Sequence, residues 1–160
     1  MRKALVIIPV LFFAIQLIAQ PYRSAIGGRL GYPVGIPSFK HNFTKHHTLE
    51  ALAEWYYGGL QIVGLYEYHG AIKEVDGLRL YGGGGLGVGF YKARPYWARG
   101  NKEYKSAFGL TLHPIVGIEY TLRQAPVNFS IDYKPAIDVF RWWWGYGSVG
   151  LGIRYTFGKT

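Results

Sequence analysis

The sequence predicts an all-β fold: eight antiparallel strands closed into an up-and-down transmembrane β-barrel, preceded by a cleaved signal peptide. Three observations carry this prediction. Apolar residues alternate with polar or small ones in segment after segment, the period of a strand with two unlike faces. Glycine is heavy at 23 residues and aromatics stand at 18%, while charged residues reach only 17%, where a soluble domain carries about 25%. The chain also opens on a segment with the anatomy of an export signal.

In that segment Arg2 and Lys3 precede an apolar run from Ala4 to Ala19, broken by Pro9 and Gln16. The run has the length of a signal-peptide core and falls short of the ~20 residues that a membrane-spanning helix needs. Residues 1–20 are therefore expected to be removed near Ala19 or Gln20, leaving 21–160 as one barrel domain. An uncleaved helical anchor is the alternative. The chain has no cysteine, which excludes a disulfide framework, a thiolate metal site, a cysteine nucleophile and a lipid anchor on cysteine.

The alternation is clearest in the second half. Phe108, Leu110, Leu112, Val116, Ile118 and Tyr120 share one face, against Thr111, His113 and Glu119 on the other. Val127, Phe129, Ile131, Tyr133 and Ile137 stand against Asn128, Ser130, Asp132, Lys134 and Asp138, so 127–138 reads as one strand. Val149, Leu151, Ile153, Tyr155 and Phe157 oppose Ser148, Gly150, Gly152, Arg154 and Thr156. Leu78, Leu80, Leu86, Val88 and Phe90 oppose Arg79, Tyr81 and a row of glycines. Segments 24–32, 36–43, 48–57 and 60–69 continue the pattern more weakly, with Arg29, Lys40, Glu50, Glu54 and Glu67 on their polar faces. Eight strands result, some longer than an ordinary globular strand, and an even count brings both ends of the barrel to one side.

Charge decides which face looks inward. Arg29, Lys40, Arg79, Lys134 and Arg154 share the polar face with Glu50, Glu54, Glu67, Glu119, Asp132 and Asp138, and His113 joins them. In a soluble sandwich, the main rival fold, these charges would face water. In a small barrel they line an interior just wide enough to be filled by side chains, and they must pair, because an unpaired buried charge costs several kcal/mol. The reading is a salt-bridged, non-conducting lumen, with an ion path as the alternative. The last strand is taken to run toward the periplasm. That puts 33–35, 58–59, 92–106 and 140–147 outside, and makes 44–47, 70–77 and 123–126 the short turns.

Other motifs reduce to this pattern. Gly82, Gly84 and Gly87 fit G-x-G-x-x-G, but the alternation runs straight through and no helix follows, as a nucleotide site requires. Gly158, Lys159 and Thr160 imitate the end of a phosphate loop, but the position where the first glycine belongs is Ile153. His41, His46 and His47 cluster at a turn and are read as solvated, with a metal site as the alternative. His113 shares a strand with Thr111 and Glu119; a base-and-orienter pair is one reading, a polar network the other. The formal charge of +9 lies mostly in the leader and loops, so nucleic acid is not expected as a partner. The connection at 92–105 holds Lys92, Arg94, Arg99, Lys102 and Lys105 among Tyr96, Trp97 and Tyr104, which reads either as a merely solvated loop or as a contact for lipopolysaccharide phosphates.

At residues 150–157, GLGIRYTF, the chain resembles the C-terminal assembly signal of outer-membrane barrels: Gly152, then Tyr155 and Phe157. The wider run GLYEYHGAI, DGLRLYGGGGLGVGFY and GIEYTLRQAPVNFSIDYKPAI is similar to small uncharacterised barrels of Bacteroidetes-type bacteria and to the OmpA/OmpX type. The resemblance covers about residues 24–157. It implies the fold, the bacterial outer membrane as location, and the barrel assembly machinery as a partner during biogenesis. It implies no activity. A structural or surface-interaction barrel, monomeric and without cofactor or enzymatic chemistry, is the expectation. A narrow channel or a lipid A-modifying enzyme are the alternatives; lipid A deacylases carry His-x-Ser on a strand, and no such tripeptide occurs here.

Overall fold

A computed structural model describes residues 22–31, 35–56, 59–91, 107–140, 143–144 and 147–159. The expected signal peptide at 1–20 and the basic connection at 92–105 lie outside the described residues. The strands are β1 Tyr22–Leu30, β2 Ile36–Asn42, β3 His47–Tyr56, β4 Gly59–Ala71, β5 Leu78–Tyr91, β6 Ala107–Thr121, β7 Val127–Lys134, β8 Ile137–Asp138, β9 Trp143–Trp144 and β10 Ser148–Lys159. Every pairing is antiparallel. β1 to β7 pair in sequence order, and β10 joins β7 to β1, so the sheet closes on itself as an eight-stranded barrel. Closure leaves no long strand edge with unpaired backbone groups.

The expected seventh strand, 127–138, is interrupted. Pro135 stands opposite Pro114 in the continued ladder, and neither proline can donate a ladder hydrogen bond. Pairing with β6 resumes in the same register at Ile137↔Leu112 and Asp138↔Thr111, as β8. The proline pair thus opens the ladder without slipping it. β8 then turns and pairs with β9, a short hairpin at the rim.

At the opposite end the connections are tight. Residues 72–77 close on Ile72 N–H to Leu78 O at 3.0 Å and Leu78 N–H to Val75 O at 3.1 Å. Gly77 sits there at φ 87°, where side chains are strongly disfavoured, and a Cβ would strike the Thr121 carbonyl. β4 runs two residues past its expected end, which shortens the turn read as 70–77.

The registers are staggered. A walk from Ser148 through Lys134, Gly83, Glu67, Thr48 and Asn42, continuing the printed pairings around the ring, returns to β10 at the level of Gly158, ten residues on. Such a shear tilts the strands by about 35–45° and leaves an interior that side chains can fill.

Polarity is inverted relative to a soluble domain. Arg29, Lys40, Glu54, Glu67, Glu119 and Arg154 are at most 1% exposed, while Ile26, Leu80, Leu86, Ile131, Val149 and Leu151 are each more than half exposed. The outward aliphatic residues form a middle band. Toward the turn end it is bordered by Phe43, Tyr66, Tyr68, Phe129, Tyr155 and Phe157, and toward the other end by Trp55, Phe90, Phe108 and Phe140.

Candidate functional site: the lumen network

The interior is layered along the barrel axis. The layer nearest the turn end gathers side chains from β1 to β7 and β10, because alternation turns every second residue inward. Lys40 Nζ lies 2.8 Å from Glu67 Oε2, 3.5 Å from Glu50 Oε2 and 3.8 Å from Glu119 Oε2. It also sits 4.3 Å over the Tyr81 ring, a cation–π contact. The Arg154 guanidinium is held on three sides: Nη2 donates to Glu50 Oε1 at 2.6 Å, Nε to Ser38 Oγ at 2.7 Å and Nη1 to Ser130 Oγ at 2.7 Å. Ser38 in turn donates to Glu50. His69 Nε2 donates to Glu67 Oε2 at 2.9 Å, its Nδ1 lies 3.2 Å from Glu119 Oε1 without a hydrogen bond, and its ring stacks on Tyr81. Arg79 and the Tyr22 hydroxyl complete the shell of Glu119.

Halfway up, Arg29 and Asp132 form a second unit. Arg29 Nε and Nη2 donate to Asp132 Oδ1 at 2.8 and 2.5 Å, and Nη1 and Nη2 donate to Ser148 Oγ and O. Tyr81 donates to the other carboxylate oxygen at 3.2 Å. Glycine makes the room: a Cβ on Gly150 would run into the Arg29 guanidinium, and one on Gly152 into Arg154 and Ser130 Oγ. On the other side of the barrel, Ile36, Leu52, Val63, Leu65 and Ile115 pack with Tyr81 as an apolar cluster at this level.

Above lies a third unit. Lys134 Nζ is 2.7 Å from Glu54 Oε1 and 3.2 Å from His113 Nδ1. An ammonium only donates, so Nδ1 accepts and the neutral ring carries its proton on Nε2. That nitrogen is 2.8 Å from Thr111 Oγ1, and Thr111 donates onward to the Gly87 carbonyl at 3.3 Å. His113 therefore donates to Thr111, and in this tautomer it has no lone pair on Nε2 with which to take the hydroxyl proton. Gln61 completes the group, its amide nitrogen donating to Thr111 Oγ1. All of this fits because Gly87 lacks a side chain; its Cβ would meet Gln61, Thr111 and His113.

The structure thus brings eleven of the twelve expected lumen residues into three linked groups: Lys40, Glu50, Glu67, Arg79, Glu119 and Arg154; Arg29 and Asp132; Glu54, Lys134 and His113. Among the described residues these groups hold five cations against five carboxylates. Asp138 lies half-buried at the rim, where it accepts the Phe140 N–H at 2.9 Å and holds the turn beyond β8. The sequence reading did not single out His69, although its spacing from Glu67 placed it on the inner face. The uncharged partners Ser38, Gln61 and Tyr81 were also not assigned to the network.

The turn histidines go to separate partners. His41 Nδ1 meets Ser24 Oγ at 2.9 Å, His46 Nδ1 meets the His69 carbonyl at 2.9 Å, and His47 Nδ1 meets the Tyr66 hydroxyl at 2.5 Å. Of the resembled assembly signal, Gly152 faces inward while Tyr155 and Phe157 stand on the outer wall with their rings stacked. The chain matches no protein-family model, no curated protein and no solved structure.

Proposed function

We propose that this chain is a small integral outer-membrane β-barrel protein with a structural or surface-interaction role and a closed lumen. The observation that carries the reading is the outer wall: an aliphatic band bordered at both ends by aromatic rings, around an ionic interior. Water would leave this wall as a large exposed apolar surface, whereas a bilayer about 25 Å thick at its apolar core accepts both the band and its aromatic borders. The lumen supports a plug in place of a path, since its charges are nearly inaccessible and each is compensated by partners within about 4 Å. In the orientation taken above, the basic connection at 92–105 stands over the outer leaflet. There Lys92, Arg94, Arg99, Lys102 and Lys105 would meet lipopolysaccharide phosphates. The test is refolding of residues 21–160. Detergent or lipid should be required, circular dichroism should be of β type, and gel mobility should change on boiling. A monomer soluble without detergent would overturn the reading.

A further inference from the structure

We propose that the outer wall of β3–β5 near the turn end is a binding site for one anionic phospholipid, its phosphate against Lys45, His46 and His47 and an acyl chain in a trough lined by Ala51, Gly64, Gly82 and Gly84. This deepens the membrane reading and rests on it.

The headgroup end is a contiguous set of rings. His46 stacks on Tyr68 at 5.6 Å, His47 meets the edge of Tyr68 at 5.4 Å, and His47 stacks on Tyr66 at 5.8 Å. The rings are held in place: Nδ1 of His46 donates to the His69 carbonyl, and Nδ1 of His47 pairs with the Tyr66 hydroxyl. Nε2 of each has no hydrogen-bond partner among the described residues. An imidazolium offers both N–H groups at once, one to the protein and one to a ligand. Lys45 is exposed beside them, its carbonyl tied by Arg79. The neighbouring turn carries Lys73, Glu74 and Asp76, with Asp76 paired to Arg123. Exposed cations and ring N–H donors at the border of an apolar band suit a phosphate diester at headgroup depth.

The trough is an independent observation. Gly82 and Gly84 lie on the outward face of β5, opposite Tyr68 and Tyr66; Gly64 lies outward on β4, opposite Ala51 and Leu86. Packing does not require these glycines. A Cβ on Gly64 would meet nothing within 4 Å, and on Gly82 or Gly84 nothing nearer than 3.6 Å. Their inward neighbours differ: a Cβ on Gly83 or Gly85 would collide with the β4 backbone. The outward glycines leave a shallow strip without side chains along β5 and into the aliphatic band, with Tyr66 and Tyr68 of β4 standing between it and the histidines of β3. A chain of methylene groups fills such a strip, and a free phosphate ion has no use for it.

The test is native mass spectrometry of the full mature barrel, released from mixed micelles holding phosphatidylglycerol and phosphatidylcholine with identical acyl chains. The wild type is expected to retain one phosphatidylglycerol in preference to phosphatidylcholine, by roughly fivefold per engaged cation. Lys45→Gln/His46→Gln/His47→Gln should equalise the two lipids. Gly64→Leu/Gly84→Leu should fold, as shown by boiling-dependent gel mobility, and lose the retained lipid. Equal retention of both lipids by the wild type, or unchanged retention by the filled trough, overturns the site. Those results would leave the barrel in its membrane; a chain that needs no lipid or detergent would instead overturn the membrane reading itself.

Discussion

The Arg29–Asp132 unit gives the sharpest test of the lumen network. Both side chains are 1% exposed, two guanidinium nitrogens reach one carboxylate oxygen, and the unit meets the rest of the network chiefly through Tyr81. Changing Arg29 to Met removes the cation and leaves Asp132 buried with the Tyr81 hydroxyl as its remaining donor. Changing Asp132 to Asn removes the counter-charge and leaves the guanidinium with neutral acceptors only, the amide oxygen and Ser148. Breaking a buried pair from one side costs about 3–5 kcal/mol, because a charge without its partner stays out of water. The double substitution removes both charges and should cost well under the sum, giving a coupling of about 3 kcal/mol or more. The assay is reversible urea unfolding of the refolded barrel in lipid vesicles or micelles, followed by gel mobility and tryptophan fluorescence. Additive single effects, or single effects below about 1 kcal/mol, would mean that water reaches the pair, and the closed lumen would be refuted.

Four further outcomes follow from the same geometry. Ile131→Arg, in the middle of the aliphatic band, should oppose folding into lipid by about 2–4 kcal/mol, while Val75→Arg in the exposed turn should be near neutral in the same equilibrium assay. Planar-bilayer recordings of the wild type should show no steady conductance, and a stable open level would reverse the reading of the lumen as a plug. Gly87→Leu should destabilise by at least about 1–3 kcal/mol through overpacking against Gln61, Thr111 and His113, measured by the urea midpoint; an unchanged midpoint would show that this group yields freely. Replacing Arg94, Arg99 and Lys102 with Ser should weaken lipopolysaccharide binding at low salt and flatten its salt dependence, and identical isotherms would make the connection a solvated loop.

The sequence by itself determined which residues face inward and which outward. Side chains alternate with a period of two, and a one-residue slip would move every charge to the apolar wall, so Glu50, Glu67, Glu119 and Arg154 could be assigned to the interior without coordinates. It also determined the strand count and the tight turns, because those depend on local alternation and turn residues. Only the tertiary structure decided who meets whom. Arg29 reaches Asp132 across 103 residues, and Arg154 reaches Glu50 across 104, pairings set by the stagger accumulated around a closed ring. The break at Pro135 was hidden for the same reason: a proline in a strand interrupts its ladder visibly only when the partner is known, and here the partner position is Pro114. The glycines of β5 show the division most plainly. In sequence they form one run, GGGG, yet Gly83 and Gly85 are pressed against the β4 backbone while Gly82 and Gly84 open the outer wall. A residue without a side chain carries no polarity by which its face could be read, so only the neighbours across the barrel give it a meaning.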